Sequence, residues 1–530
     1  MAKTIMIQGT ASNVGKSLIV AGLCRIFKQD GRRVAPFKSQ NMALNSFITR
    51  SGLEMGRAQV VQAEAAGIEP DADMNPILLK PSSDTTSQVI VQGEIFAEEN
   101  AEAYYKHKRA LEPKIRESFE RLSAAYDIIV LEGAGSPVEI NLREQDIVNM
   151  YMARLARAPV ILAGDIDRGG VFASLVGTMT LFTGEDRRLV RGVLINKFRG
   201  DEAILEPGLR QLEDLIHRPV LGVIPYMRLD IDDEDSLSER FHAPASGGRD
   251  RMARDTILAD IAVIRFSRIS NFTDFNALSR LPGVLLRYVD SPEALGFPDM
   301  VILPGTKNTM ADLRRLRRSG LEERIRGLAG RGTPVFGICG GYQMLGRTLA
   351  DPDHVEEGGE MEGLGLLPVA TVFEKEKVRT RVRGRFGALG GVLRPLSGME
   401  LEGYEVHMGS SLRISLRNSR PSGAGADCSP LGTIRNINAA DAADVADGAF
   451  RGNVYGTYVH GIFDADGIAS ALVKALCAAK GLDAPQGAPP DEAAPLGLKA
   501  YKEKQYDILA ATLRDHIDMN RIYRILEEGI

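Results

Sequence analysis

A glycine-rich loop near the start of the chain carries residue types that bind phosphate. Five residues separate Gly9 from Gly15, and Lys16 and Ser17 follow at the start of a helix-like segment, 18–29. Backbone N–H groups at a helix start attract anionic oxygens, a lysine bridges the β- and γ-phosphates, and a serine hydroxyl ligates Mg²⁺. The spacing is one residue longer than in the standard phosphate loop. The loop predicts phosphoryl transfer from ATP with Mg²⁺, and its predicted ATP-binding residues are Gly9, Thr10, Asn13, Val14, Gly15, Lys16 and Ser17.

Acidic residues at the ends of later apolar runs are candidate metal ligands. Glu132 follows the run 127–131, and Asp165 follows the run 159–163. Because Mg²⁺ takes oxygen ligands, its predicted protein ligands are Ser17, Glu132 and Asp165. Each acidic residue alone is also explained as a helix cap or a turn residue. Their position at successive strand ends is what favours a shared site.

A second reactive motif lies in the other half of the chain. Gly337, Cys339 and Gly341 form the pattern G-x-C-x-G directly after the apolar run 334–338. This is the cysteine form of the nucleophile elbow, a sharp strand-to-helix turn that needs small residues beside the nucleophile. The helix N-terminus at such a turn favours the thiolate. A buried structural cysteine is the alternative, but glycines on both sides would pack a core poorly.

A thiol nucleophile needs a base, and the chain contains seven histidines. His460 ends the apolar run 454–459 late in the same half, where it can meet an elbow from a neighbouring strand. His407, within the segment 403–409, is the competing candidate. The pattern favours Cys339 and His460 as the catalytic pair.

These motifs require parallel strands whose carboxyl ends lie together. In the first half, short apolar runs alternate with helix-like segments, and the runs are 4–8, 33–38, 127–131, 159–163, 193–195 and 220–224. In the second half the runs are 260–264, 300–303, 334–338 and 454–459. Such alternation indicates doubly wound parallel sheets, which bind ligands at the carboxyl ends of their strands. The predicted fold class is α/β, with two doubly wound, mainly parallel-sheet domains and a short helical C-terminal segment.

Shifts in composition mark the predicted domain boundaries. Residues 1–240 are predicted to form an ATP-binding domain, the polar stretch 241–256 a linker, and residues 257–483 a second domain. Residues 484–530 are predicted to form another linker and two amphipathic C-terminal helices, which we expect to pack on the second domain. Surface insertions are predicted in the second domain at 421–430 and 438–448.

Composition excludes several classes of protein. Hydrophobic residues make up 44% and charged residues 25%, as in an average globular protein, so the chain is not disordered throughout. A net charge of −5 argues against a protein that binds nucleic acid mainly through the phosphate groups. Four cysteines without a CxxC pair exclude a disulfide framework and structural zinc. With no signal-peptide pattern and no apolar run long enough to span a membrane, we expect a cytoplasmic protein without a membrane partner.

The variant phosphate loop resembles that of dethiobiotin synthetase and its relatives, which carboxylate or amidate small acids through phosphorylated intermediates. In those relatives the strand end that corresponds to Asn196 holds the adenine base. The resemblance therefore adds Asn196 to the ATP-binding residues. It implies ATP and Mg²⁺ as the cofactors, and no tightly bound organic cofactor is expected.

The segment 337–346 (GICGGYQMLG) resembles the nucleophile turn of the class I glutamine amidotransferases. The resemblance implies further site residues: Gly305 and Gly340, whose neighbouring N–H groups would hold the oxyanion, and Gln343, which would help to hold glutamine. In that family a glutamate two residues after the histidine completes a triad, but here that position is Ile462. Either another group orients His460, or the site works as a Cys–His dyad.

The order of the two halves resembles the glutamine-dependent amidases of the cobalamin pathway. Among these, the chain is most similar to the cobyric acid synthase family, and the strings that carry the resemblance are 37–46, 74–81, 133–142, 165–170, 270–275, 303–309, 403–409 and 458–464. The resemblance implies a corrinoid, L-glutamine and ATP as partners. The implied reaction amidates the b, d, e and g carboxylates of adenosylcobyrinic acid a,c-diamide, through acyl phosphates and ammonia released from glutamine.

Two alternatives use the same motifs differently. The first is the sister amidase of the pathway, cobyrinic acid a,c-diamide synthase, which has the same two halves. The second is a switch ATPase of the partitioning or metal-insertion type, whose degenerate amidotransferase half serves as a binding module. The intact Cys339 and its flanking glycines argue against the second alternative.

Overall fold

The computed structural model describes residues 2–83, 85–232, 257–414, 428–439, 441–482 and 497–530. The predicted linker 241–256, residues 484–496 and most of the predicted insertion 421–430 lie outside these ranges. Within them, no helix combines the length and the apolar character that a membrane crossing requires.

The N-terminal half alternates strands and helices. In chain order its elements are β1 (Lys3–Gly9), α1 (Lys16–Gln29), β2 (Val34–Phe37), β3 (Gln40–Met42), β4 (Ser46–Ile48), β5 (Glu54–Gly56), α2 (Arg57–Ala66), β6 (Ile77–Pro81), β7 (Thr86–Val91), β8 (Glu94–Asn100), α3 (Ala101–His107), α4 (Glu112–Ala125), β9 (Ile128–Glu132), α5 (Met150–Leu155), β10 (Val160–Asp165), α6 (Val171–Leu181), α7 (Gly184–Leu189), β11 (Val190–Phe198), α8 (Glu202–Ile216) and β12 (Val220–Pro225).

A parallel sheet in the order β12-β11-β10-β1-β9-β2 forms the centre of this half. Its strands are the apolar runs predicted from the sequence, so this part of the fold is confirmed. Side chains alternate between the two faces of each strand. Ile5 and Ile7 of β1 pack toward α1 on one face, and Met6 packs toward α4, α6 and α8 on the other. Burial on both faces explains why these strands are continuous apolar runs.

The C-terminal half has a second set of elements. In chain order they are β13 (Ala259–Ile264), α9 (Asn276–Ser279), β14 (Val284–Val289), α10 (Pro292–Leu295), β15 (Met300–Leu303), α11 (Thr309–Arg318), α12 (Leu321–Gly330), β16 (Val335–Ile338), α13 (Gly340–Leu345), β17 (Thr348–Asp351), β18 (Gly359–Glu362), β19 (Val369–Phe386), β20 (Glu400–Arg413), β21 (Gly432–Asn436), β22 (Val445–Asp447), β23 (Ala449–Arg451), β24 (Val454–Thr457), α14 (Ile468–Ala479), α15 (Leu498–His516) and α16 (Met519–Glu528).

The main sheet of this half has the order β14-β13-β15-β16-β24-β23. Its first five strands are parallel, and β23 pairs antiparallel with β24. The predicted strands β13, β15, β16 and β24 lie side by side. The loops that follow them therefore meet at one edge of the sheet.

Mainly antiparallel layers that the sequence analysis did not predict join the two halves. In the first half β3, β6, β7 and β8 form a small sheet, and in the second the long strands β19 and β20 pair as a hairpin within another sheet. At their junction Phe47 and Ile48 of β4 pack with Tyr404 and Val406 of β20. The strands β8, β19 and β20 were missed because they are half-exposed and interrupt their apolar residues with polar ones. The strands β6 and β7 are buried, but a short turn and no helix-like segment separates them, so they do not fit the alternation that predicts a parallel sheet.

The C-terminal helices pack on the first domain, so the predicted packing on the second domain is wrong. Leu509 and Leu513 of α15 lie against Gly22 of α1, where a Cβ would come within 2.2 Å of a Leu513 methyl group. Arg25 of α1 also binds Glu503 of α15 at 2.6 Å. An amphipathic pattern shows that a helix has an apolar face, but the pattern does not show which domain covers that face.

Candidate active sites

The phosphate loop joins β1 to α1 at the carboxyl edge of the first sheet. Gly15 caps α1 with a φ of 93°, a left-handed conformation that glycine adopts without steric cost. A side chain at Gly15 would also meet the Asn196 amide at 2.1 Å. Lys16 Nζ donates to Ala11 O at 2.9 Å and to Gly135 O at 3.2 Å. The ammonium thus lies over the loop, where phosphate oxygens would meet it.

The other predicted loop residues form the same cradle. Gly9 ends β1, Thr10 N–H donates to the neighbouring strand β10, and Asn13 has a φ of 59°. Asn196, at the end of β11, is 4% exposed, and its Nδ2 donates to Val14 O at 2.8 Å. Asn196 therefore supports the loop directly, while its predicted contact with adenine stays a prediction.

Glu132 ends β9 beneath the start of α1, and it is buried. Its carboxylate accepts hydrogen bonds from Ser17 Oγ at 2.9 Å, from Lys38 Nζ at 2.9 Å and from Gln62 Nε2 at 2.5 Å. The hydroxyl and the carboxylate are hard oxygen donors, so Ser17 and Glu132 fit a Mg²⁺ ion. Sequence reasoning missed Lys38 and Gln62. Lys38 is the last residue of the predicted strand 33–38. That position alone indicated that it lies at the carboxyl edge of the first sheet.

Asp165 ends β10 beside the loop, and its carboxylate binds Lys197 at 2.9 Å. Lys197 Nζ also donates to Asn13 O at 2.7 Å, so Asp165 is linked to the loop through a cation. Its role as a metal ligand stays a prediction. Among the described residues, no three His, Cys, Asp or Glu side chains form a metal cluster. An ion at Ser17 and Glu132 would therefore take most of its other ligands from phosphate and water.

Cys339 lies at the turn between β16 and α13. Its φ of 51° and ψ of −112° are strained for a residue with a side chain, as expected at a nucleophile elbow. A hydrogen bond to β24 stabilises this backbone conformation, because Cys339 N–H donates to Thr457 O at 2.8 Å. The thiol faces the β19–β20 hairpin, with Sγ 3.7 Å from Val406 O.

The predicted oxyanion residues lie on either side of this turn. A Cβ on Gly305 would come within 2.9 Å of His460 Cε1, and a Cβ on Gly340 would come within 2.8 Å of Thr306 Cγ2. The loop after β15 is therefore packed between the nucleophile turn and the histidine. Backbone donors in this position suit the developing negative charge of a tetrahedral intermediate.

Gln343 lines the cavity that contains Cys339. Its side chain accepts from Thr309 Oγ1 at 2.9 Å and donates to Met408 O at 3.2 Å and to Tyr458 at 3.3 Å. These contacts hold the amide from three elements: Thr309 at the start of α11, Met408 on β20 and Tyr458 directly after β24. Gln343 is therefore a rigid part of the cavity wall, as its predicted role in holding glutamine requires.

Asp274 is a candidate site residue that sequence reasoning did not assign. His460 and Asp274 are both fully buried, and His460 Nδ1 lies 2.7 Å from Asp274 Oδ2. The second carboxylate oxygen accepts from Gly461 N–H at 2.9 Å. Ile462, where the family has a glutamate, is buried in the apolar core. A carboxylate from the short 3-10 turn Phe272–Phe275 therefore holds His460 in place of the glutamate that is absent at Ile462.

The charge on Asp274 changes the chemistry of the histidine. Burial alone would lower the pKa of His460, but the Asp274 carboxylate and the adjacent Cys339 raise it to about 10. Nε2 of His460 has no hydrogen-bond partner among the described residues. The imidazolium thus has one proton held by Asp274 and a second available for transfer at Nε2.

The competing histidine is held differently. His407 Nδ1 pairs with Gly409 O at 2.9 Å, and its ring stacks on Tyr458 at 3.8 Å. It lines the same cavity, but the nearest carboxylate, that of Glu405, is 3.8 Å from Nε2. The geometry therefore favours His460 as the base.

The site residues follow successive parallel strands. Asp274 follows β13, Gly305 follows β15, Cys339 follows β16 and His460 follows β24, which are neighbours in the sheet. Residues far apart in the sequence meet because the carboxyl ends of these strands share one edge.

One segment of the first half touches both sites. Ser46 N–H donates to Asn271 Oδ1 at 3.0 Å, and Tyr404, whose ring stacks on His460, donates to Ser46 O at 3.2 Å. At the other end of the segment, Gln62 of α2 binds Glu132 in the phosphate site. The two sites are therefore connected through residues 45–62.

The chain has the parts of a two-domain glutamine-hydrolysing, amide-forming synthase. Residues 5–236 match the family model described as the CobQ/CobB/MinD/ParA nucleotide binding domain. Residues 260–468 match the model described as the CobB/CobQ-like glutamine amidotransferase domain.

Full-length relatives define the family. A cobyric acid synthase of Ruminiclostridium cellulolyticum is 56% identical over 100% of this chain and 98% of its own. One of Lachnoclostridium phytofermentans is 53% identical over 100% of both chains, and one of Thermoanaerobacter sp. is 49% identical over 99% of both. The chain therefore belongs to the cobyric acid synthase family, and it is an enzyme of amide formation in cobalamin biosynthesis.

Proposed function

We propose that the protein uses ATP and glutamine to amidate the b, d, e and g carboxylates of adenosylcobyrinic acid a,c-diamide, giving cobyric acid. The observation that carries the proposal is the presence of two complete sites in a chain whose full-length relatives are cobyric acid synthases. One site has the groups to activate an acid, and the other has the groups to release ammonia. A corrinoid, L-glutamine and ATP are its proposed small-molecule partners.

The first site is proposed to make an acyl phosphate. A carboxylate oxygen of the corrin attacks the γ-phosphorus of ATP, the bond to the β-phosphate oxygen breaks, and ADP leaves. Lys16 and the loop N–H groups hold the phosphate oxygens as their charge shifts. Ser17 and Glu132 would hold Mg²⁺, which supplies charge neutralisation when bound. Asp165 is kept as a further proposed ligand.

The second site is proposed to hydrolyse glutamine. The Cys339 thiolate attacks the side-chain amide carbon, and N–H groups near Gly305 and Gly340 hold the resulting oxyanion. Protonated His460 gives its Nε2 proton to the departing nitrogen, so ammonia leaves and a thioester forms. Neutral His460 then accepts a proton from water, which attacks the thioester and releases glutamate. Asp274 keeps Nδ1 protonated throughout these steps.

Ammonia is proposed to pass between the sites along residues 45–62 and to attack the acyl phosphate, with phosphate as the leaving group. Buried amide atoms support this route. Asn45 Nδ2 and Oδ1, Gln59 Nε2 and Gln62 Oε1 have no hydrogen-bond partner in the described structure. Buried polar atoms without partners are costly, and ammonia both donates and accepts hydrogen bonds.

The sister amidase is the alternative that the fold does not separate from this proposal, because it has the same two halves. The relatives favour the first proposal, since they are named cobyric acid synthase over their full length. The second site gives the switch-ATPase alternative no support, because His460 pairs with Asp274 and Cys339 lies at a strained strand-to-helix turn, as glutamine hydrolysis would require.

The test is an assay with ATP, glutamine and one corrinoid at a time, with the product identified by mass. We expect adenosylcobyrinic acid a,c-diamide to gain four amide groups. Addition of two amides to cobyrinic acid, with no reaction of the a,c-diamide, would identify the sister activity instead.

A further inference from the structure

The cavity beside Cys339 is lined by both halves of the chain. Lys80 of β6 contributes to its wall together with Lys307, Lys377 of β19 and Glu356. Glutamine brings three polar groups to such a cavity: the side-chain amide, the α-ammonium and the α-carboxylate. The amide must lie at Cys339, so the charged side chains face the α-carbon end.

Two of the lysines share one carboxylate. Glu54 of β5 accepts from Lys80 Nζ at 2.8 Å and from Lys377 Nζ at 2.6 Å, and both lysine side chains are about 5% exposed. Burial alone would raise the pKa of Glu54, but Lys377 and Lys80 hold it well below its usual range. Burial and the neighbouring Lys80 and Lys307 lower the pKa of Lys377 to about 7 in spite of the Glu54 carboxylate, so Lys377 is only partly charged at neutral pH. An anion bound nearby would favour its charged form.

Lys307 adds a further cation to the same wall. It belongs to the loop after β15, two residues beyond Gly305, and it lines the cavity. Burial and the neighbouring Lys80 lower the pKa of Lys307, and the carboxylates of Glu98, Glu356 and Glu54 oppose this shift without cancelling it. Lys307 is half-buried, and a partly desolvated cation beside other cations gains free energy when an anion binds, because the anion offsets both penalties.

Glu356 does not supply that anion. Its two carboxylate oxygens accept the N–H groups of Thr309 and Met310 at 2.9 Å and 2.8 Å, so they cap α11. Burial raises the pKa of Glu356 to about 7, so a substantial fraction is uncharged at neutral pH. Glu356 therefore offsets the positive charge of the cavity only in part.

We propose that Lys307 binds the α-carboxylate of substrate glutamine, in the positive field of Lys80 and Lys377, so that the synthetase half completes the glutamine site. The inference rests on the proposed function, because it concerns the substrate of the same cavity. It gives the two halves a direct link: glutamine binds well only when β6 is docked against the cavity.

The test compares two amide substrates in a glutaminase assay. L-Glutamine carries the α-carboxylate, and 4-aminobutanamide is the same molecule without it. We expect Lys307→Met to raise the KM for glutamine about 10- to 100-fold, the worth of a charged hydrogen bond, and to leave the KM for 4-aminobutanamide near the parental value. Lys307→Arg keeps the charge and should recover part of the affinity.

Lys375→Met is the matched control, because Lys375 is on the same β19 strand as Lys377 but is 75% exposed. It should behave as the parent does with both substrates. Lys80→Met tests the contribution of the synthetase half and should also raise the KM for glutamine more than that for 4-aminobutanamide.

A Lys307→Met enzyme with the parental KM for glutamine, or with equal losses for both amides, would overturn the assignment. A parental KM in Lys80→Met would overturn the role of the synthetase half. If the parent chain hydrolysed no glutamine at all, the proposed function would fail as well, so the two failures are distinguishable.

Discussion

At the scale of single residues, the amidotransferase site depends on a carboxylate that comes from far along the chain. Asp274 lies 186 positions before His460, yet their side chains meet at 2.7 Å. The buried pair fixes the imidazole orientation and favours its protonated form. In the proposed mechanism that proton goes to the departing ammonia.

Replacement of this carboxylate tests its role. We expect Asp274→Asn to lower glutamine hydrolysis by about 10²-fold or more, because the imidazole loses its orientation and its stabilising charge. The pKa of His460, raised to about 10 by Asp274 and Cys339, should fall when the anion is removed. The loss of activity at alkaline pH should then begin at a lower pH. The measurement is the pH profile of kcat/KM for glutaminase activity.

A profile with an unchanged alkaline limb would contradict this assignment. Asp444→Asn is a control, because Asp444 forms an exposed ion pair with Arg435 far from the cavity. It should leave the profile as it is in the parent.

Most of the residues of the two sites could be predicted from local sequence motifs. The elbow and the phosphate loop each need particular residue types within a few positions, so Cys339 and Lys16 can be predicted from sequence. Asp274 satisfies no local pattern. Its function exists only because β13 and β24 end at the same edge of one sheet, with two strands between them.

At the scale of elements, helix α2 lies between the two sites. Gln59 and Gln62 are three residues apart, so both lie on one face of this helix. Gln59 Oε1 accepts from Asn41 Nδ2 at 3.1 Å, while its Nε2 has no partner in the described structure. The parallel strands around α2 were predictable from continuous apolar runs. The antiparallel strands were not: β19 and β20 interrupt such runs with exposed polar residues, and β6 and β7 are joined by a short turn where the pattern of a parallel sheet needs a helix.

Substitution on this face tests the route for ammonia. We expect Gln59→Leu, which keeps the size but removes the polar group, to uncouple the two reactions. Several glutamines should then be hydrolysed for each amide formed, where the parent uses about one if transfer is efficient. The measurement is the ratio of glutamate to amide product. Gln211→Leu, on the exposed face of α8, is the matched control.

A ratio that stays at the parental value in Gln59→Leu would contradict the proposed route. It would leave the two catalytic sites as described and would place the transfer path elsewhere.

At the scale of the whole molecule, a buried charge cluster joins both halves and the C-terminal helix. Asp232 binds Arg57 of α2 at 2.6 Å, Lys502 of α15 at 2.8 Å and Asn276 of α9 at 2.8 Å. Burial alone would raise the pKa of Asp232, but Lys502 and Arg57 hold it well below its usual range. Helix α15 therefore stabilises the contact between the two halves through Lys502. The amphipathic pattern of the helix did not predict this contact.

Loss of this carboxylate should destabilise the chain. We expect Asp232→Asn to lower the free energy of unfolding by about 3–5 kcal/mol, because two buried cations lose their nearest carboxylate and keep only the longer contacts with Glu64. Since the folded-state pKa is depressed, this contribution is fully present above the unfolded pKa of about 4 and is lost as pH falls through the lower folded value. Denaturant unfolding at neutral pH measures the difference.

The exposed ion pair again supplies the control. Asp444→Asn should cost no more than about 1 kcal/mol, as surface pairs do. Equal unfolding midpoints for the Asp232 and Asp444 variants would contradict the role of the cluster.

The central claim is that one chain runs two separable reactions, ammonia release at Cys339 and acid activation at the phosphate loop. The most direct test is the Cys339→Ala variant with ATP and adenosylcobyrinic acid a,c-diamide, supplied with either glutamine or ammonium, and read by product mass. We predict no added amides with glutamine and four with ammonium. Amidation from glutamine at the parental rate, or none from ammonium, would contradict the account.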